Sequence, residues 1–386
     1  MSGIARSFNF PPPEDGQCDF LIIAGEHSGD EQAARMLEKA REINPDASFC
    51  ALGGRALKKR GAQLLFDMTS FSVVGLVEVL KNYSAFKKLS DELIGWIKKH
   101  RPKTVCFVDY PGFNLHIAKR LKDEGLSVKG GGGIVLKYYI SPQIWAWKAK
   151  RRFKMAELLD ELAVIFPFEP ECYADTSLKT TFVGHPFMGE SFKPKMYFDK
   201  DGALLFMPGS RKAAVEKIFP RMLGALRLLD GERAVVPYPS DLILGVLQGA
   251  LKKFPDLEGR VELRKISDPA RIGAKAALMS SGTISLSACL QAIPGAIVYV
   301  ANPITYFVGR MFVKVEYLSI ANIILKKPAW PEFIQFDAKP KSIADRIKAC
   351  ISDPRVLEQT RADSEALRRA LTAPSSVSAA EWLLRR

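Results

Sequence analysis

Leu204-Leu205-Phe206-Met207-Pro208-Gly209-Ser210-Arg211 is an apolar run that stops at Pro-Gly and passes into a helical pattern over residues 211–229. The stretch reads as strand, tight turn, helix. At such a junction the first backbone N–H groups of the helix have no internal partner and the helix dipole is positive, so the turn is an anion site. Arg211 adds a fixed cation whose planar fork suits a phosphate. The stretch lies just past the middle of 386 residues, where a second α/β half would begin. The expectation is that Gly209, Ser210 and Arg211 bind the diphosphate of a nucleotide and that the first half brings a second substrate to it.

Outward from this turn the second half alternates strands and helices. Strands are expected at residues 203–207, 233–237, 260–263, 276–279 and 295–300. Ser281-Gly282-Thr283 follows one of them and opens a helix, a second turn of the phosphate type. Residues 328–335 read as a turn segment and residues 340–386 as helices.

The first half repeats the alternation, which implies a parallel sheet. A strand at 20–24 leads into Gly25-Glu26-His27-Ser28-Gly29-Asp30 and a helix over 31–43. This junction is neither a dinucleotide fingerprint nor a P-loop. Gly25, Glu26, Ser28 and Gly29 are candidate substrate-binding residues, and a purely structural turn is the competing reading. Asp109 sits at the C-terminal end of a strand over 104–108, the edge where parallel sheets bind ligands. It reads as a catalytic carboxylate or as a turn aspartate bonding nearby N–H groups. Asn114 is expected to cap the helix that follows, and residues 130–133, four glycines, to form a flexible loop. Trp145 and Trp147 precede Lys148, Lys150, Arg151 and Arg152. That cluster suits either stacked bases or packed tryptophans at a basic helix start. An interdomain linker is expected at residues 185–200.

Residues 71–80 are apolar nearly all round, with Phe71, Val74, Leu76 and Val79 added to a helical stripe that includes Leu80. Lysines follow. Apolar side chains beside cations suit an anionic membrane surface, and a buried internal helix fits the same pattern.

The totals narrow the classes. Hydrophobic residues are 47% and charged residues 25%, ordinary for a globular chain of two domains. No run is long enough to span a bilayer, and residues 1–19, with Pro11-Pro12-Pro13, read as a loose arm without a signal peptide. Six scattered cysteines without a C-x-x-C pair point to reduced thiols in a cytoplasmic protein, and four separated histidines to no metal cage. A net charge of +14 favours an anionic partner, but no nucleic-acid motif accompanies it.

Taken together these segments resemble bacterial lipid-A-disaccharide synthase. The matching stretches are Ala24-Gly25-Glu26 with Ser28-Gly29-Asp30, Asp109 with Pro111, Phe113 and Asn114, and Ser141-Pro142 with Trp145-Ala146-Trp147. They continue through Phe166-Pro167-Phe168-Glu169, Phe182-Val183-Gly184-His185-Pro186, Pro208-Gly209-Ser210-Arg211, Ser281-Gly282-Thr283 and Pro331-Glu332-Phe333-Ile334-Gln335, in family order.

The resemblance implies an α/β chain of two Rossmann-like domains, the B-type glycosyltransferase fold. Residues 20–187 would bind acceptor and lipid, residues 188–352 the UDP-sugar, and helices over 353–386 would return to the first domain. It implies an inverting transfer from UDP-2,3-diacylglucosamine to the 6-hydroxyl of 2,3-diacylglucosamine 1-phosphate, without metal or cofactor, at the inner-membrane surface. A homodimer is compatible with it. Asp109 is implied as general base and Arg211 as the group that stabilises the leaving UDP. Asn322 and Glu332 are implied near the nucleotide, and His185 in a hinge where it touches either ligand. The chain departs from the family at Ser287 and Ala214, where Glu is usual, and at Gly112, often Asp. A catalytically impaired paralogue that binds lipid or nucleotide, or another UDP-sugar enzyme of the same fold, is the alternative.

Overall fold

The computed structural model describes residues 8–69, 83–189, 192–266, 269–301, 316–372 and 374–385. The apolar patch of Phe71, Val74, Leu76, Val79 and Leu80 lies outside the described residues. The chain divides into two compact units, Met1–Ser191 with Ala373–Arg386, and Phe192–Thr372.

The first unit is built on seven parallel strands: β1 (Phe20–Ala24), β2 (Phe49–Gly53), β3 (Gln63–Asp67), β4 (Thr104–Val108), β5 (Val135–Tyr139), β6 (Glu161–Val164) and β7 (Lys179–Phe182). Their order is β3-β2-β1-β4-β5-β6-β7. Central strands such as Thr-Val-Cys-Phe-Val of β4 are buried along their whole length, because helices cover both faces. Alternate residues serve opposite cores. Leu21, Ile23, Val105 and Phe107 pack on one face, and Ile22, Ala24, Cys106 and Val108 on the other. Each of the Leu, Ile, Val and Phe side chains contributes roughly 1.5–3 kcal/mol by leaving water.

The second unit has six parallel strands: β8 (Met196–Met207), β9 (Ala234–Tyr238), β10 (Val261–Lys265), β11 (Ile272–Met279), β12 (Gly295–Tyr299) and β13 (Glu332–Ile334), in the order β10-β9-β8-β11-β12-β13. Glu332–Ile334, expected as a turn, is an edge strand paired with β12.

Several expectations need correction. From Phe8 onward the arm is not loose. Phe8 and Phe10 are buried, Phe8 meets Phe66 edge-to-face at 5.3 Å, and Trp96 Nε1 donates to the Pro11 carbonyl at 2.9 Å. The proline run reads as loose, but its carbonyls accept side-chain bonds and its flanking aromatics are core. The glycines at 130–133 make a packed turn: a Cβ at Gly130 would strike the Lys122 carbonyl, and one at Gly132 the Leu126 carbonyl. The expected linker is largely structured, since Pro186–Met188 is a 3-10 turn and β8 begins at Met196.

The helix Pro354–Leu371 belongs to the second unit, where Ser364 Oγ donates to the Leu290 carbonyl at 3.2 Å. Only Ala379–Leu384 returns to the first. There the buried Lys137 of β5 donates to the carbonyls of Trp382 (2.8 Å), Leu383 (3.3 Å) and Arg385 (2.5 Å). These are the carbonyls a helix end leaves without partners.

Candidate functional site

In each sheet the chain runs outward from one strand in both directions, which creates a switch point between β1 and β4 and another between β8 and β11. Loops diverge there and leave a crevice at the carboxyl ends. The candidates around Gly25 and Asp109 sit at the first point, and those around Gly209 and Ser281 at the second.

At the first, Ala24 pairs with Val108, so Gly25 lies beside Asp109. Gly25 must be glycine, because a Cβ would collide with the Tyr110 ring. The helix α1 (His27–Ile43) begins four residues earlier than expected and places Ser28 and Gly29 in its first turn. No side chain caps its start. A Cβ built on Gly29 would lie 3.6 Å from the Val108 carbonyl oxygen, an ordinary contact, and Ser28 is exposed. Glu26 is half-buried, and its charge joins burial in raising the Tyr110 hydroxyl above its ordinary pKa. Asp30 is 1% exposed and accepts from Gly54 N (2.7 Å) and Ala56 N (2.9 Å), so it caps the helix α2 (Arg55–Lys59) from a distance in sequence.

Asp109 is partly buried and takes left-handed backbone (φ 46°), as does Tyr110 (φ 48°). Two consecutive non-glycine residues in this region store roughly 1–3 kcal/mol each. The helix α3 (Pro111–Asp123) starts directly after them. Asn114 therefore lies inside this helix, fully buried, and is not its cap. Its Nδ2 donates to the carbonyl of Asp109 at 2.6 Å, where the Tyr138 hydroxyl also donates at 2.6 Å.

His185 is turned into the protein interior. It is 4% exposed, packs on Phe166 at 5.3 Å, and accepts the Phe187 N–H on Nδ1 at 3.1 Å. Burial pushes its pKa down to about 3, so the ring is neutral. Trp145 joins the same aromatic cluster, edge-on to Phe168 at 5.6 Å. Its Nε1 donates at 3.3 Å to Glu169, whose other oxygen accepts from Ile165 N and Phe166 N. Burial raises Glu169 to about 7. Trp145 is thus a packed tryptophan, while Trp147 is 43% exposed.

At the second switch point, Met207 pairs with Met279. Gly209 takes φ 111° and packs against Ser280, which donates its N–H to the Met207 carbonyl at 2.7 Å. The helix α4 (Lys212–Leu226) starts after Arg211, which is its N-cap, and ends earlier than the sequence pattern implies. The helix α5 (Thr283–Leu290) has Gly282 as N-cap. Neither start is capped by a side chain. Two helix N-termini without side-chain caps therefore stand at the ends of neighbouring strands, beside the exposed Arg211 and Ser210. This is the arrangement for a polyanion.

Asn322 and Glu332 reach this edge indirectly. Ser281 Oγ donates to the Leu318 carbonyl at 2.9 Å. Glu332 accepts the N–H groups of Leu318 (2.8 Å) and Ser319 (2.9 Å) and the Nδ2 of Asn322 (2.9 Å). Asn322 also donates to the Trp330 carbonyl at 2.7 Å and accepts its N–H at 3.0 Å. Asn322 thus has all its polar atoms engaged within the protein, and both residues brace the segment that Ser281 touches. Ala214 approaches the Gly209 turn, and Ser287 is 4% exposed.

Sequence reasoning missed Tyr138, Asp30 and the scaffold role of Glu169. Tyr138 reads as one more strand aromatic, and nothing local reveals what its hydroxyl meets. Among the described residues no helix is long and apolar enough to cross a membrane, and no cluster of potential metal ligands occurs.

The family model for lipid-A-disaccharide synthetase matches residues 20–385. A lipid-A-disaccharide synthase of Coxiella burnetii is 32% identical over 336 residues, covering 85% of this chain and 87% of the relative. One of Geobacter metallireducens is 33% identical over 356 residues, covering 89% and 90%. Among solved structures, UDP-GlcNAc 2-epimerase from Neisseria meningitidis bound to UDP-GlcNAc superposes with a TM-score of 0.57 at 10% identity, covering 92% of this chain and 99% of that one. The glycotransferase of kitacinnamycin does so with 0.54 at 11%, covering 95% and 97%. These two bear on the fold alone, the two-domain B-type glycosyltransferase architecture. With the match running through nearly all of both units, the chain belongs to the lipid-A-disaccharide synthetase family, glycosyltransferases of lipid A biosynthesis.

Proposed function

We propose that the chain transfers the sugar of UDP-2,3-diacylglucosamine to the 6-hydroxyl of 2,3-diacylglucosamine 1-phosphate, with inversion, and releases UDP. The observation that carries this reading is the chemistry of the two switch points, a carboxylate at one and two uncapped helix starts with an arginine at the other.

Asp109 takes the proton of the acceptor hydroxyl as its oxygen attacks the anomeric carbon. The bond from that carbon to the diphosphate breaks, and UDP leaves with an added negative charge. Arg211 and the N–H groups at Ser210 and at Gly282-Thr283 stabilise this charge where it develops. Gly25, Glu26, Ser28 and Gly29 line the acceptor side, and Gly209 lets the backbone approach the phosphates. Asn322 and Glu332 act through the segment they brace, which supports the Ser281 turn. The fatty chains of both substrates put the enzyme on the cytoplasmic face of the inner membrane. Phe71, Val74, Leu76, Val79 and Leu80 are the residues we assign to acyl contact.

Product analysis tests the reading. The protein is incubated in detergent micelles with the acylated donor and acceptor, and in parallel with UDP-GlcNAc as a donor lacking the acyl chains. A tetraacyl disaccharide 1-phosphate whose new bond has the anomeric configuration opposite to the donor's supports it. Transfer that favours UDP-GlcNAc, or retains configuration, refutes the substrate class or the mechanism respectively.

A further inference from the structure

Both sides of Asp109 in the main chain are held. Its N–H donates to the Tyr139 carbonyl at 3.1 Å. Its carbonyl receives two side-chain donors, Asn114 Nδ2 and the Tyr138 hydroxyl, each at 2.6 Å. Asn114 and Tyr138 are both 0% exposed, so the two donors approach that carbonyl from the core. Asn114 also reaches the Val108 carbonyl at 3.3 Å. The residue held in this way has left-handed backbone, uncommon outside glycine, and so has Tyr110 after it. Strained residues persist only where the surroundings over-determine them.

The details fit a device for holding one carbonyl. Tyr138 is a wholly buried tyrosine on a core strand, where phenylalanine would fill the same volume, and its hydroxyl meets the Asp109 carbonyl. Burial raises that hydroxyl's pKa well above its ordinary value, so it remains a donor. Asn114 is on the second turn of its helix, too late to cap it, and turns inward to the same atom. With both neighbouring peptide groups fixed, the Cα–Cβ direction of Asp109 is fixed, and its carboxylate has only side-chain rotation left.

We infer that Asn114 and Tyr138 are positioning residues that pin the Asp109 carbonyl, hold its left-handed backbone and thereby aim its carboxylate at the acceptor hydroxyl. This rests on the reading of Asp109 as general base. A catalytic group displaced by about 1 Å can lose on the order of 10²-fold in rate.

The test is steady-state transfer in micelles by Tyr138→Phe, Asn114→Leu and Asp109→Ala, each shown folded by thermal melting, with Tyr138→Phe repeated in the Asp109→Ala background. Tyr138→Phe removes only the hydroxyl and is expected to lower kcat about tenfold, and Asn114→Leu by about 10–100-fold, with both KM values within about twofold. On Asp109→Ala, which has no carboxylate to aim, Tyr138→Phe is expected to change the residual rate less than about twofold, because the effects of residues acting as a unit do not add. A Tyr138 that served stability alone would lower both backgrounds alike, and that result overturns the proposal. Wild-type kcat in both Tyr138→Phe and Asn114→Leu, with Asp109→Ala inactive, overturns it while leaving the base in place. Normal turnover by Asp109→Ala removes the base and the positioning role together.

Discussion

At the β1/β4 edge the left-handed positions are Asp109 and Tyr110, and buried side chains hold them there. At the β8/β11 edge the positive-φ positions are glycines, Gly209 and Gly282, which need no such support, and the two helix starts there carry no side-chain cap. Under the proposed function, the difference matches what each edge would have to do. A base must point one carboxylate along one line, so strain and buried donors are tolerated to fix it. A diphosphate is met by several weak donors at once, and a glycine turn with two helix starts supplies them without any one side chain being aimed.

The comparison predicts unequal sensitivity. Asp109→Asn should lower kcat about 10³-fold, since general base catalysis contributes roughly 10²–10⁴-fold. Calorimetric affinity for UDP should stay within about twofold, and a large loss of UDP affinity would break the assignment of separate tasks. Arg211→Ala should lower kcat/KM about 10²-fold and weaken UDP binding as well, because the N–H groups remain but the cation is gone. Unchanged UDP affinity would mean that Arg211 is not at the diphosphate.

Bracing also differs between the edges. Asn322→Leu strips partners from the Trp330 backbone and from Glu332, and should destabilise the second unit by about 2–3 kcal/mol. A melting temperature within about 1 °C of wild type would show that the Ser281 turn does not depend on this scaffold. The smallest effect concerns His185. Its pKa is about 3 in the fold against 6.5 ordinarily. A depressed folded pKa gives stability that is present above 6.5 and lost as pH falls toward 3. Glu169, raised to about 7, works in the opposite direction over the same range. The stability difference between wild type and His185→Phe should therefore shrink by about 2 kcal/mol from pH 6.5 to pH 4.5, read by denaturant unfolding. A constant difference would contradict a neutral buried ring.

Much of this was legible. Fully buried parallel strands are continuous apolar runs, so β4 and the end of β8 stood out, and Gly-Ser-Arg and Ser-Gly-Thr after such runs marked two strand-turn-helix junctions. The place of Asp109 directly after a strand was readable for the same reason. What failed was whatever depends on a partner far away in sequence. Asn114 resembles a cap until the helix is seen to start at Pro111. Nothing local in the sequence shows that Glu332 and Asn322 are bonded to each other. The prolines at 11–13 look unattached until Trp96 and Gln63 are found donating to their carbonyls. The helix Pro354–Leu371 carries no local sign of which unit it packs on.

The most direct measurement is formation of labelled disaccharide from UDP-2,3-diacylglucosamine and radiolabelled 2,3-diacylglucosamine 1-phosphate in micelles, by wild type beside folded Asp109→Ala. Product from wild type that falls by about 10³-fold without the carboxylate is the predicted result. Equal product from both, or none from wild type, would contradict the account.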